Sequence, residues 1–515
     1  MSRKLRVKLI TIPWELDVPA LSLASLAAVT PESHFEVAIV DVLRERLFID
    51  EPTDLVGITA STPSINAAYA LADKYRSLGV KVVIGGHHAT ALPEEALKHA
   101  DAVVCGEGEG SWVRILDEML SNPSKVGGIY RDPAPDLSTL PPPRTDLMKI
   151  GRYQPFYYPI MASRGCPMGC SFCFAKRMTH GYRTYPISNV LEQVRRRPSW
   201  VKALYFVDDN LAGDIEYTRE LFRQLKRYNV PFGIQVRHEF SHNPADIRLA
   251  REAGCALISS GFESVNQHSL DRTGKQANAA MYKEIVTNIQ REGVIAAANW
   301  MFGFDWDTPD VFQETWEFLR DSLIIYSSFT TEIPFPGTPA FRQYDREGRI
   351  LTYNYDDYIG KDRVIVRPKQ MTPEQLRDGI RWLSLQYYSI EHCRHLARVT
   401  TRDAHFFPQF TGIWRTPLLI ALQYYQAFQY TYRMKPSLRW LFCKSQEYNK
   451  YIYVGDAVRG TNFWHPHYRP AEPDPVGPLE GESPFLHRSG AMPPKGNTLV
   501  PGDFVRISPE SQKHA

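Results

Sequence analysis

Pro159-Ile-Met-Ala-Ser163-Arg164-Gly-Cys166-Pro-Met-Gly-Cys170-Ser-Phe172-Cys173-Phe174 decides how this chain is read. The apolar run at 159–163 reads as a strand, and it delivers three cysteines at Cys-x3-Cys-x2-Cys spacing onto the loop behind it. Three thiolates so spaced can ligate three irons of one [4Fe–4S] cube. No fourth cysteine belongs to the motif, so one iron stays open to a substrate. Structural zinc wants four closed ligands, and no Cys or His pair lies at zinc-finger distance. The other cysteines, Cys105, Cys255, Cys393 and Cys443, are scattered in mostly apolar settings and read as core residues.

Further strand-like runs follow at 203–208, 232–236, 257–261, 297–302 and 329–333. Six βα units fit an incomplete barrel, because a full eight-unit barrel needs about 250 residues. Upstream, apolar runs at 5–13, 35–42, 55–59, 81–85 and 102–105 alternate with segments of helical spacing such as 64–78. That alternation predicts a parallel sheet covered on both faces. The expected fold is therefore α/β. A doubly wound N-terminal domain (1–131) leads through a Pro-rich linker (132–155) to a partial (β/α)6 barrel (156–345). A mostly α, basic and aromatic extension (346–465) and a Pro-rich tail (466–515) complete it.

Composition sets the outer limits. At 515 residues, 43% of them hydrophobic and 23% charged, the chain can bury a core and suits about three folded units. No uncharged apolar run reaches the roughly 18 residues that a spanning helix needs. Met1-Ser-Arg-Lys-Leu-Arg runs into a strand with no signal-peptide h-region, and the cysteine usage fits a reducing compartment, so a cytoplasmic protein is expected. Sixty Lys/Arg against 57 Asp/Glu give a net charge of +3. That balance hides a split: residues 381–470 hold 12 Lys/Arg against 4 Asp/Glu, with 20 aromatic residues. Three readings of this block stay open: a helical cap on the barrel mouth, a peripheral contact with anionic lipid, and nucleic-acid binding, which no recognisable module supports.

The cysteine motif resembles that of the radical S-adenosylmethionine (SAM) superfamily, Cys-x3-Cys-x-aromatic-Cys, with Phe172 in the aromatic position. The resemblance implies that Cys166, Cys170 and Cys173 hold a [4Fe–4S] cluster whose open iron binds SAM, and that an external electron donor of flavodoxin or ferredoxin type reduces it. It also implies SAM contacts at strand ends: Asp208, Asp209 and Asn210 for the amino group, Gln235 and Arg237 for carboxylate and ribose, Glu263 and Ser264 within a Gly-x-Glu-Ser element, and Gly303 beside the adenine. Active sites of such barrels lie at the C-terminal ends of strands. Any one strand-end acid can equally be a helix cap.

Gly85-Gly86-His87-His88-Ala-Thr90 and Cys105-Gly106-Glu107-Gly108-Glu109 each follow an upstream strand. Glycines there allow close backbone approach to a flat ligand at the sheet's C-terminal edge. In this order, ahead of the cysteine triad, they resemble the cobalamin (B12)-binding domain of cobalamin-dependent radical SAM enzymes. The implied cobalamin contacts are Thr59, Ser61, Thr62, Gly85, Gly86, His88, Thr90, Gly106, Glu107 and Gly108. The two histidines should diverge, as neighbours on an extended loop do. The first loop, Trp14-Glu-Leu-Asp-Val-Pro19, lacks the Asp-x-His-x-x-Gly motif whose His ligates cobalt.

Phe329 to Pro339 closes the barrel series, and Gly348-Arg-Ile-Leu followed by Met371-Thr-Pro-Glu-Gln resembles the extension of a subgroup that includes hopanoid and chlorophyll-side-chain methylases. The expected function is C-methylation of an unactivated carbon in a natural-product or lipid-like substrate. One SAM provides the radical, methylcobalamin the methyl group, and a second SAM restores it. A cobalamin-binding cyclase, rearranging or oxidising enzyme is one alternative, and a cobalamin or iron–sulfur sensor is another.

Overall fold

The computed structural model describes residues 3–12, 19–42, 44–153, 158–360 and 363–402. The first-strand loop at Trp14, the basic and aromatic block beyond residue 402, and the Pro-rich tail lie outside them.

The N-terminal sheet has six parallel strands in the order β2-β1-β3-β4-β5-β6. They are β1 (Leu5–Ile12), β2 (Phe35–Asp41), β3 (Leu55–Ala60), β4 (Lys81–Gly85), β5 (Ala102–Val104) and β6 (Gly128–Tyr130). From Val7 onward β1 is buried on both faces, as its unbroken apolar run requires in a covered parallel strand. The helix Ile65–Ser77 covers one face with Ala68, Leu71, Ala72 and Tyr75 at helical spacing. Five strands were expected here. The sixth, Gly128–Tyr130, is only three residues long and escapes any periodicity count.

The second sheet is also parallel throughout and ordered β14-β13-β12-β11-β10-β7. It comprises β7 (Tyr158–Ile160), β10 (Leu204–Phe206), β11 (Phe232–Gln235), β12 (Cys255–Glu263), β13 (Ile295–Phe302) and β14 (Tyr326–Thr331). Six strands in sequential order form the expected partial barrel. Between β7 and β10 a two-residue hairpin, β8 (Ser163–Arg164) against antiparallel β9 (Arg183–Thr184), brackets the cysteine loop.

The Pro-rich segment is better packed than a linker. Leu137, Met148, Ile150 and Tyr153 are buried, and Arg144 N–H donates to the Ala24 carbonyl. Beyond the barrel, an Ile350–Val366 bridge leads to the helices Pro373–Tyr387 and Ile390–Arg402. The first of these begins with a complete capping box between Thr372 and Gln375, with Pro at the first turn. Among the described residues no helix is long and apolar enough to cross a membrane.

Candidate cofactor site

Exposure divides the cysteines. Cys105, Cys255 and Cys393 are buried in core positions, whereas Cys166, Cys170 and Cys173 are half-accessible and unbridged. Burial pushes the Cys173 thiol up to about 11, and it raises Cys170 as well, against the opposing charges of Lys275 and Arg237. Thiols of this kind ionise when a metal binds them. Among the described residues no three His, Cys, Asp or Glu side chains converge on a single-ion position. A cube distributes its thiolates over different irons, so three facing cysteines with no closing ligand fit a cluster better than one ion.

The strand-end residues expected around SAM fall into two groups. Asp209 is accessible, accepts the Gly165 N–H and bears electrostatically on Cys173. Gln235 is exposed at the end of β11, and Phe172 sits 6.0 Å from the Phe304 ring. Asp208 turns away instead. Its carboxylate is buried and accepts from Ala162 N at 3.2 Å, from Ser163 N and from Ser163 Oγ, so it anchors the chain just before the cysteines. Asn210 accepts the Arg237 N–H. Arg237 spends its guanidinium on Glu239 and the Lys275 carbonyl, and Ser264 is buried and accepts from Asn266 N. Gly303 also departs from expectation: a Cβ there would lie 2.7 Å from Leu376 of the extension, so its smallness serves helix packing. Glu263, at φ +63°, is buried in a 2.7 Å ion pair with Lys275.

At the N-terminal sheet edge, Thr59, Ser61, Gly85, Gly86, Gly106 and Gly108 remain partly accessible. Gly86 is compelled by close approach, because a Cβ at its φ of +100° would meet the Ala60 carbonyl at 2.7 Å. Four other expected cobalamin contacts are committed inward. His88 is fully buried between Thr62 (3.3 Å) and Glu95 (3.1 Å). Thr62 is buried with it. Thr90 Oγ1 donates to the Gly86 carbonyl and accepts from Gly106 N, tying the two glycine loops together. Glu107 is buried against Arg164 and Arg183. The histidines do diverge: His87 is accessible, and its ring lies 5.2 Å from that of Phe174, one residue past Cys173.

Sequence reasoning missed Arg164 and Lys275. Arg164 carried a signal, a charge two residues before the first cysteine. Lys275 carried only a Gly-Lys pair in a loop.

Glu332, one residue beyond β14, is 3% exposed. It accepts from Tyr344 Oη at 2.6 Å, and burial raises its pKa to about 8. The folded state therefore holds this proton where the unfolded chain has released it, and stability falls as pH rises between the two pKa values. The slope is at most about 1.4 kcal/mol per pH unit. Urea midpoints measured at pH 6 and pH 8 should differ in that direction, and Glu332→Gln should flatten the difference.

The B12 binding domain family matches residues 7–116, and the radical SAM superfamily matches residues 160–319. Bacteriochlorophyllide d C-12(1)-methyltransferase of Chlorobaculum tepidum is 30% identical over 65% of this chain and 75% of its own length. The C-8(2)-methyltransferase of the same organism is 27% identical over 67% of this chain and 80% of its own length. Among solved structures, the cobalamin-dependent SAM radical enzyme OxsB, with aqua-cobalamin and SAM bound, superposes with a TM-score of 0.62 at 13% identity. That match covers 88% of this chain and 79% of OxsB.

Proposed function

The chain belongs to the radical SAM methyltransferases that carry a B12-binding domain, and on that premise we propose that it C-methylates an unactivated carbon of a natural-product or lipid-like substrate. The observation that carries the reading is the seam between the two halves. The cysteine loop abuts the glycine loops of the N-terminal sheet, with Phe174 against His87 and Gly337, and with Met178 and His180 beside Gly106. Chemistry begun at the cysteines therefore has the edge of the other domain as its neighbour.

Cys166, Cys170 and Cys173 hold the [4Fe–4S] cluster, while Asp209 and Gln235 line the SAM side. Thr59, Ser61, Gly85, Gly86, Gly106 and Gly108 border the cobalamin. When bound, the cluster supplies the electron that cleaves SAM, and the cobalamin carries the methyl group. The protein's own part is orientation and exclusion of water. Asp208 fixes the backbone entering the loop, Glu263–Lys275 closes its far side, and Phe172 and Phe304 offer an apolar flank. An external one-electron donor reduces the system.

Anaerobic protein reconstituted with iron, sulfide and hydroxocobalamin should cleave SAM under reduction. Given a tetrapyrrole or polycyclic triterpenoid acceptor, it should release S-adenosylhomocysteine and 5′-deoxyadenosine together with a methylated product. 5′-Deoxyadenosine without S-adenosylhomocysteine would instead mark a cyclase-type or oxidising outcome. Binding without any SAM cleavage would mark a sensor.

A further inference from the structure

Arg164 stands two residues before Cys166, and its side chain is only 10% exposed. Its guanidinium bonds Glu107 Oε2 at 2.7 Å and Glu109 at 2.6 and 3.1 Å, and it lies over the Tyr185 ring. Arg183, on the strand paired with β8, reaches Glu107 as well, and His180 Nδ1 stands 4.0 Å from the same carboxylate. Two arginines from the barrel half thus meet Glu107, in the loop after β5, and Glu109, which opens the helix Glu109–Ser121. The charges balance, with Arg164, Glu107 and Glu109 buried and Arg183 partly open to solvent.

Such a network adds little net stability, because desolvation offsets the attraction. What it supplies is geometry, since a guanidinium fork accepts carboxylates only in fixed directions. The connection from Arg164 to Cys166 is also taut. Gly165 between them has φ +81°, and a Cβ there would fall 2.4 Å from Thr179 Oγ1 and 2.5 Å from the Gly181 carbonyl. No slack separates the guanidinium from the first cysteine. On the other side, Glu107 and Glu109 flank Gly108, the N-cap residue where the loop bordering the N-terminal sheet edge turns into the helix Glu109–Ser121.

We propose that the Arg164–Glu107–Glu109 network is a positioning clamp that fixes the cysteine loop against the B12-binding edge and so sets the separation between the two cofactors. The clamp rests on the cofactor reading given above. Arg164 and Glu109 act through the loops they hold and touch no reacting atom.

Two measurements test it. Hydrogen exchange on the cofactor-free protein needs neither cofactor. Glu109→Gln should speed exchange at residues 105–110 and 163–166 together, and unchanged exchange in both loops overturns the clamp. In protein loaded with cluster and cobalamin, electron paramagnetic resonance reads the coupling between cob(II)alamin and the reduced cluster. Wild type should show one defined interaction. Glu109→Gln should lose or broaden it at unchanged iron and cobalt content, and Arg164→Lys, which keeps the charge but not the fork, should fall between. Coupling identical to wild type in both variants also overturns the proposal. If Glu109→Gln does not fold, Arg183→Lys removes the outer fork, which holds Glu107 and the Pro135 carbonyl, and is judged by the same two readouts. Wild-type protein that takes up neither cofactor sinks the functional reading, while the exchange result still decides whether the clamp joins the two loops.

Discussion

A Cys166→Ala/Cys170→Ala/Cys173→Ala variant is expected to lose its iron–sulfur absorbance and all reductive cleavage of SAM while keeping its fold. The fold should survive because the three side chains are half-accessible and contribute little packing. Their sulfur contacts are weak and local, such as the 3.9 Å bond from Cys170 Sγ to the Gly274 carbonyl and the Ala175 N–H beside Cys173. Activity should vanish because no buried cysteine can take their role. Among the described residues the other cysteines, Cys105, Cys255 and Cys393, are all buried in the core. Cys255→Ala is the matched control. It removes a fully buried sulfur, so it should lower stability through a small cavity and leave iron binding unchanged. Iron absorbance and SAM cleavage persisting in the triple variant would defeat the cluster assignment. A triple variant that unfolds while Cys255→Ala stays stable would show that the loop is structural.

Much of this architecture was legible because periodicity and spacing are local properties. The apolar runs of β1 and β3 announced strands buried on both faces, and Thr372-Pro-Glu-Gln375 announced its helix start through capping chemistry. The short β6 was not legible, since three residues carry no period. At the candidate site the sequence pointed to loops at strand ends but could not tell which side of each loop a residue faces. Asp208 and Asp209 are adjacent carboxylates at one strand end, yet the first is buried on the Ser163 backbone and the second remains accessible. His87 and His88 divide in the same way. Partners distant in sequence were the hardest to foresee. Arg164 finds Glu107 and Glu109 more than fifty positions upstream, and only the folded seam brings those charges together.

The Glu263–Lys275 pair should give the largest loss of stability from a single change near the site. Lys275 Nζ lies 2.7 Å from Glu263 Oε1, with the two side chains 8% and 11% exposed. Gly261 makes room for the pair, since a Cβ there would collide with Glu263 Oε1 and lie 2.9 Å from Lys275 Nζ. Lys275→Met strands a carboxylate in a dry site, at a cost on the order of 3–5 kcal/mol. Glu263→Gln/Lys275→Met removes both charges, so it should recover most of that loss, because the penalty comes from the unpaired group and not from the missing attraction. Urea unfolding of the wild type, the two single variants and the double variant closes the cycle. Recovery in the double variant identifies the pair as a charge-compensated wall of the site. A double variant as unstable as Lys275→Met would show instead that the lysine's packing, not its charge, carries the effect. The chemistry should follow the same pairing. Lys275 also bears electrostatically on Cys170, and removing a positive charge disfavours the more negative, reduced form of a nearby cluster. Glu263 bears on Cys170 in the opposite sense, so Lys275→Met alone should require a stronger reductant to cleave SAM, and the double variant, which removes both charges, should return most of the way to wild type.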